Sequence, residues 1–363
     1  AVLTHKIQTP AVKALGYKTI NDLSEEEYMQ LKRDMASSVC LGPSLNAGGH
    51  LTHGSVRMSV MSKLMRCISY GVNFDTELFD YDEIARLAKL YKPTVIIAGY
   101  SSYSRRLNFA KFKQIAEDCG AVLWADMAHF AGLVAGGVFV GEENPIPYAD
   151  IVTTTTHKTL RGPRGGLVFA TKEYEDIINK ACPLMMGGPL PHVIAAKTVA
   201  FKEALSVDFK KYAHQVVENA RRLAEGFVRE GLRVLTGGTD NHIVIIDLGS
   251  LGISGSIAEN VLSEVGVAVN RNALYSDAQG KWDPSGIRLG TAAITTLGMG
   301  VDERDEVAAV IVKVLRNICV KRNANGKDVG ELAESIFEEA RGRISDLLSR
   351  FPLYPEIDLE TLE

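Results

Sequence analysis

Short apolar runs closed by polar or glycine-rich segments alternate along this chain with stretches whose apolar positions recur at helical spacing. Thr94-Val95-Ile96-Ile97-Ala98 reads as a buried strand and is followed by an amphipathic segment over 110–119. Ala121-Val122-Leu123-Trp124-Ala125 leads into Asp126, Ile151-Val152 and the threonines up to Thr156 lead into Lys158, and Gly166-Leu167-Val168-Phe169-Ala170 follows. Strands alternating with helices predict a mostly parallel α/β sheet. A helical pattern covers 192–205 after Pro191, and a second opens at Phe209 with apolar positions 209, 212, 213, 216, 217, 220, 223, 224 and 227, one face of a helix. A domain transition near Ser206-Val207-Asp208 divides the chain into a large domain, 1–207, and a smaller α/β domain, 208–363. In the latter, Val234-Leu235, 242–246 and 267–269 read as short strands, with helices over 302–321 and 329–350. Near the start, Ser24-Glu25-Glu26-Glu27-Tyr28 reads as a helix with its own cap.

Composition narrows the function classes. With 363 residues and 46% hydrophobic content, the chain has room for two domains. Its 40 basic and 44 acidic residues nearly balance, and no basic stripe suits a nucleic acid. No apolar run has the length of about 20 residues that spans a bilayer, and no signal peptide is recognised. The 5 cysteines are scattered without a CxxC pair, so no metal site is read and free thiols in a reducing, cytoplasmic compartment are expected.

Candidate chemistry concentrates at two strand ends. In an open α/β sheet, ligands bind at the carboxyl ends of the strands. Asp126 and Lys158 both fall there, in Asp126-Met127-Ala128-His129 and in His157-Lys158-Thr159-Leu160-Arg161-Gly162-Pro163-Arg164-Gly165-Gly166. Either alone is ordinarily a turn residue or a surface charge. Together, an amine able to form a Schiff base and an acid able to keep a pyridine nitrogen protonated are what pyridoxal phosphate requires.

Thr153-Thr154-Thr155-Thr156-His157-Lys158 and the turn after it resemble the cofactor-lysine segment of serine hydroxymethyltransferase, a fold-type I pyridoxal phosphate enzyme family. Gly48-Gly49-His50-Leu51-Thr52-His53-Gly54, Asp126-Met127-Ala128-His129, Gly187-Gly188-Pro189 and Ser285-Gly286-Ile287-Arg288-Leu289-Gly290-Thr291 match family segments in the same order, from about 45 onward. Nothing similar covers 4–41, which is expected to be an insertion. The resemblance also implies that the family's N-terminal segment lies outside this chain, with a tyrosine- and glycine-rich loop, a glutamate near the substrate hydroxyl and a serine–glycine turn for the cofactor phosphate.

The resemblance carries roles with it. Lys158 would hold the cofactor aldehyde, Asp126 the pyridine nitrogen and His50 the ring face. His129 and Ser101 would contact the phenolic side. His157 adjoins the lysine, and with Arg164 it is expected to lower the amine's pKa. Gly187 and Gly188 would present backbone N–H groups to the phosphate of a neighbouring subunit's cofactor. Arg288 would fork onto the amino-acid carboxylate, with Thr155 and Arg164 orienting the substrate. Leu45, Gly49, His50, Leu51 and Asn272 match positions lining a pteridine pocket. Met186 stands where the family usually has glutamine, Ala47 where it has histidine, and Leu274-Tyr275 replaces an apolar–proline pair.

The expected activity is the interconversion of serine and glycine with one-carbon transfer to tetrahydrofolate, by a homodimer with shared active sites. Two other readings stay open: an amino-acid racemase or threonine-aldolase type of reaction on the same cofactor, and a non-catalytic fragment. Turnover with and without tetrahydrofolate separates the first, and the visible absorbance of bound cofactor the second.

Overall fold

The computed structural model describes residues 1–277 and 283–354. The chain divides into two compact units, Ala1–Lys210 and Lys211–Glu363.

The first unit is built on a six-stranded sheet. Its strands are β1 (Val39–Pro43), β2 (Arg66–Tyr70), β3 (Val95–Gly99), β4 (Val122–Asp126), β5 (Ile151–Thr155) and β6 (Gly166–Ala170), in spatial order β2-β1-β3-β4-β5-β6. All neighbours are parallel except β6, which runs antiparallel to β5 at one edge. This is the mostly parallel α/β sheet that the sequence predicts. β3 is buried at every position, as a strand covered on both faces must be. The helix Tyr81–Tyr91 starts at Asp80, whose carboxylate accepts from the N–H groups of Asp82 and Glu83. The helix Phe109–Cys119 starts at Asn108, which accepts from Lys111 N at 2.9 Å, and ends on Gly120 in the left-handed conformation. Caps of this kind satisfy end N–H and C=O groups that the helix itself cannot. Phe109, Phe112, Phe130 and Phe139 are buried along this part of the unit, with neighbouring rings in tilted contact.

Ahead of the sheet, Ser24 caps the helix Glu25–Ser37 as its sequence predicts: Ser24 Oγ accepts from Glu27 N at 3.3 Å and Ser24 N donates to Glu27 Oε2 at 2.8 Å. The stretch 4–41 is not wholly outside the core, because residues 39–41 already belong to β1.

The second unit carries a four-stranded antiparallel sheet of β7 (Arg233–Val234), β8 (Ile243–Asp247), β9 (Asn270–Asn272) and β10 (Gly286–Gly290), in spatial order β7-β8-β10-β9. The helix Val207–Arg229 buries every apolar position that the pattern from Phe209 to Phe227 marked. Each such Val, Leu or Phe contributes about 1.5–3 kcal/mol relative to an exposed one. Two expectations need correction. The strand lies at Asn270–Asn272 rather than 267–269, where Val269 is buried in the core without pairing. The terminal helices are shorter, Val301–Arg316 and Glu334–Ser349. Between them a hairpin pairs β11 (Cys319–Arg322) with β12 (Asp328–Glu331), turning through Asn323 and Gly326.

Candidate active site

Four strand ends of the first unit carry the candidate residues. After β1 the chain turns through Ser44, whose Oγ accepts from Ala47 N, to Gly48 at φ 92°. The Gly48 carbonyl accepts from Ser101 N at 2.7 Å and Ser102 N at 3.1 Å. A Cβ on Gly48 would lie 2.1 Å from Ser102 O, so only glycine lets these two loops meet. The loop after β1 and the loop after β3 are thereby joined, which brings His50 and Ser101 to the same edge. His50 opens the short helix Leu51–Gly54, with Nδ1 accepting from Thr52 N at 3.3 Å. His53, part of the matched segment but given no role from the sequence, is buried and accepts from His50 N at 3.4 Å. Burial lowers its pKa to about 4, so the ring is neutral.

Asp126 closes β4, in register with Gly99 on β3 and Thr153 on β5. Its Oδ1 accepts from Ala128 N at 3.0 Å. Burial pushes the Asp126 carboxyl above the usual carboxylate range, with the Ala128 N–H and the charges of His50 and Lys158 pulling against it. Within this chain, desolvation is the larger effect.

The loop after β4 is fastened to the lysine loop. Thr155 Oγ1 donates to Ala128 O at 3.3 Å and Thr159 Oγ1 to His129 O at 2.7 Å, while Gly132 N donates to Thr159 Oγ1 at 3.0 Å. A Cβ on Gly132 would lie 2.0 Å from Thr159 O. The lysine loop is also tied to itself. Thr156 N donates to Gly165 O at 3.0 Å, Thr156 Oγ1 to Pro163 O at 2.5 Å, Gly162 N to Thr156 O at 2.6 Å and Arg161 N to Lys158 O at 2.9 Å. Lys158 is half-buried within this turn.

Electrostatics tie the group together. Burial lowers the His50 pKa, with Asp126 opposing and Lys158 reinforcing the shift. His50, Asp126 and Lys158 thus lie within each other's fields. His157 is held low by burial, then by the charges of Arg164 and Lys158. Its Nδ1 is buried without a hydrogen-bond partner among the described residues. Arg164 itself is exposed.

Other candidates lie apart from this group. Gly49 is buried in the His50 loop, whereas Leu45 and Leu51 beside it are exposed. Gly187 and Gly188 lie in an exposed loop between the helices Glu175–Met185 and Pro191–Ala204, and a Cβ on either would meet nothing within 4 Å. In the second unit, Arg288 lies on β10 and its Nη2 donates to Asn270 Oδ1 at 2.9 Å; burial lowers its pKa. Asn272 lies on β9 and its Nδ2 donates to Ala273 O at 2.8 Å. Asp277, which the sequence reading did not single out, fixes the approach to β10: its carboxylate accepts from Leu274 N, Ser285 N and Ser285 Oγ. Only the adjacent Ser285-Gly286 motif pointed toward it.

Residues 29–311 match a sequence model of the family described as serine hydroxymethyltransferase. Curated proteins of that description from Chlamydia pneumoniae, Chlamydia caviae and Chlamydia trachomatis are 76%, 75% and 73% identical to the chain over 365 aligned residues. Each alignment covers all of this chain and 73% of the relative. Residues 1–28 lie outside the family match but within the alignments to the chlamydial proteins. On the strength of these matches and of the fold beneath them, the chain belongs to the serine hydroxymethyltransferase family.

Proposed function

We propose that the carboxyl edge of the first sheet is the pyridoxal phosphate site of a glycine hydroxymethyltransferase, with Lys158 and Asp126 as its central pair. The chain is a transferase that interconverts serine and glycine and passes a one-carbon unit to tetrahydrofolate. Family members act as homodimers.

The cofactor suits the residues present. Asp126 is a partly buried carboxyl whose ionised form burial disfavours, and a protonated pyridine nitrogen is the cation that would offset that cost. His157 Nδ1 is a buried polar atom suited to a phosphate oxygen. Pyridoxal phosphate, when bound, supplies an electron-withdrawing ring that takes up the charge released as a bond at the amino-acid α-carbon breaks.

The remaining work falls to side chains. Lys158 would hold the aldehyde through its amine, and Asp126 would hold the proton at the pyridine nitrogen. His50 would cover the ring face, while Ser101 and His129 would contact the phenolic edge. Thr155 and Arg164 would orient the amino acid, and Arg288 would bind its carboxylate. Leu45, Gly49, Leu51 and Asn272 would serve the pteridine, and Gly187 and Gly188 the partner subunit's cofactor phosphate. Residues 1–207 and 208–363 are taken as the cofactor domain and the smaller domain. Among the described residues no helix is long and apolar enough to cross a membrane, in keeping with a cytoplasmic setting.

The observation that carries this reading is the joining of the strand-end loops, Ser101 N to Gly48 O and the Thr155 and Thr159 hydroxyls to the Ala128 and His129 carbonyls, at the edge that bears His50, Asp126 and Lys158. It is tested by titrating the chain with pyridoxal phosphate, reducing with borohydride and mapping the modified peptide, beside serine turnover with and without tetrahydrofolate. Modification at Lys158 and folate-dependent turnover are expected. A label on another lysine would overturn the assignment.

A further inference from the structure

Away from the strand ends, the first sheet brings two cysteines together. Cys40 on β1 and Cys67 on β2 are directly opposed in the parallel register. Paired residues in adjacent strands project on one face of a sheet, so their side chains are neighbours. Their surroundings differ. β2 is the edge strand, and Cys67 is partly exposed there, whereas Cys40 lies one strand inward and is buried beside Val95, Met65 and Ile97. The Cys67 thiol itself donates to Met65 O at 3.9 Å. The neighbouring Cys40 thiol draws the Cys67 pKa down to about 7, while proximity to Cys67 and burial raise that of Cys40. The remaining cysteines, Cys119, Cys182 and Cys319, are free thiols.

We propose that Cys67 and Cys40 form a peroxide-reactive pair, in which Cys67 at the sheet edge is the nucleophile and Cys40 behind it is the resolving thiol. The asymmetry of the site sets the order: Cys67, partly exposed on the edge strand, meets the oxidant first, and Cys40 is shielded behind it. The Cys67 thiolate attacks one oxygen of hydrogen peroxide, the O–O bond breaks, and hydroxide leaves and is protonated to water. Cys67 becomes a sulfenic acid. The Cys40 sulfur then attacks the Cys67 sulfur, the S–O bond breaks, and the departing hydroxide takes the Cys40 proton as a second water. The two thiols lose two electrons, which the peroxide gains, and a Cys40–Cys67 disulfide joins β1 to β2.

The native chain, treated with hydrogen peroxide and mapped by mass spectrometry, should yield a dithiothreitol-reversible Cys40–Cys67 disulfide before Cys119, Cys182 or Cys319 is oxidised. In Cys40→Ala the reaction should stop at a Cys67 sulfenic acid that dimedone captures; in Cys67→Ala, Cys40 should stay reduced. Because the buried substitution can disturb folding, the unmutated chain provides an independent reading. Its Cys67 should alkylate at pH 7 about threefold faster than an unstructured cysteine peptide, which ionises near 8.5 and whose thiolate is scarcer but intrinsically more nucleophilic. Oxidation of Cys319 ahead of Cys67, alkylation of Cys67 no faster than the peptide, or a Cys67 sulfenic acid that accumulates unresolved in the unmutated chain would overturn the proposal.

Discussion

Two glycine-bearing loops of the first unit, both expected to serve the cofactor, are built in opposite ways. The turn around Lys158 is closed by hydrogen bonds from Thr156, Arg161 and Gly162, and is fastened to the loop after β4 through Thr155 and Thr159. The loop around Gly187 and Gly188 is exposed, and its surroundings include exposed Leu184, Met185, Met186 and Leu190. Apolar side chains gathered at a surface favour a covering partner, which the role proposed for this loop would assign to the second subunit of the homodimer. The lysine loop is positioned by its own chain; the glycine loop, on that proposal, would be positioned by its neighbour.

Substitutions can break or sharpen that comparison. The largest effect is expected from Lys158→Arg, which keeps the charge but not an amine that can be deprotonated. Serine turnover should fall by about 10²–10⁴-fold or more, with the thermal midpoint of the cofactor-free chain unchanged. A second large effect tests the fastened side through pH. His53 has a folded pKa of about 4, below its ordinary 6.5. Its contribution is therefore complete above pH 6.5 and is lost as pH falls toward 4, by up to about 3 kcal/mol. His53→Gln should flatten that part of the stability–pH curve measured by urea unfolding.

Gly132→Ala places a methyl against Thr159 O and should cost about 1–3 kcal/mol in urea unfolding. Gly188→Ala meets nothing within its own chain and should stay within about 0.5 kcal/mol, yet loosen pyridoxal phosphate in the dimer. Equal stability losses at the two glycines would erase the distinction. The subtlest outcome concerns Asp126. Its folded pKa is raised, so the folded chain favours the protonated form, and stability falls as pH rises through that value. Asp126→Asn keeps an acceptor for Ala128 N but cannot ionise. It should raise the melting temperature of the cofactor-free chain at pH 7 and diminish the further rise on adding pyridoxal phosphate.

Local chemistry made much of this legible beforehand. The helix Val207–Arg229 declares itself because one face must be apolar along its length, and β3, β4 and β5 because interior parallel strands are apolar runs. β1 and β2 escaped notice: Val39–Pro43 contains Gly42 and Pro43, poor strand formers, and Arg66–Tyr70 sits at an edge where apolar content is not required. The hairpin of β11 and β12 resembled helix ends because it is short, charged and largely exposed. At the candidate site, the lysine motif singled out Thr155, His157, Lys158 and Arg164. The bonds from Ser101 to Gly48 and from Thr159 to His129 join segments distant in sequence, and no spacing rule exposes them.

The close backbone approaches at Gly48 and Gly132 divide the faults this enzyme can suffer. A side chain such as Lys158 contributes a functional group at the end of a flexible arm, and a small primary amine diffusing into a Lys158→Ala site can stand in for it. Gly132 contributes the absence of atoms, which no added compound can restore once a methyl stands 2.0 Å from Thr159 O. Damage to the reacting groups is open to chemical rescue; damage to the glycines that let the loops meet is open only to reversion, or to a second substitution that moves the opposing backbone.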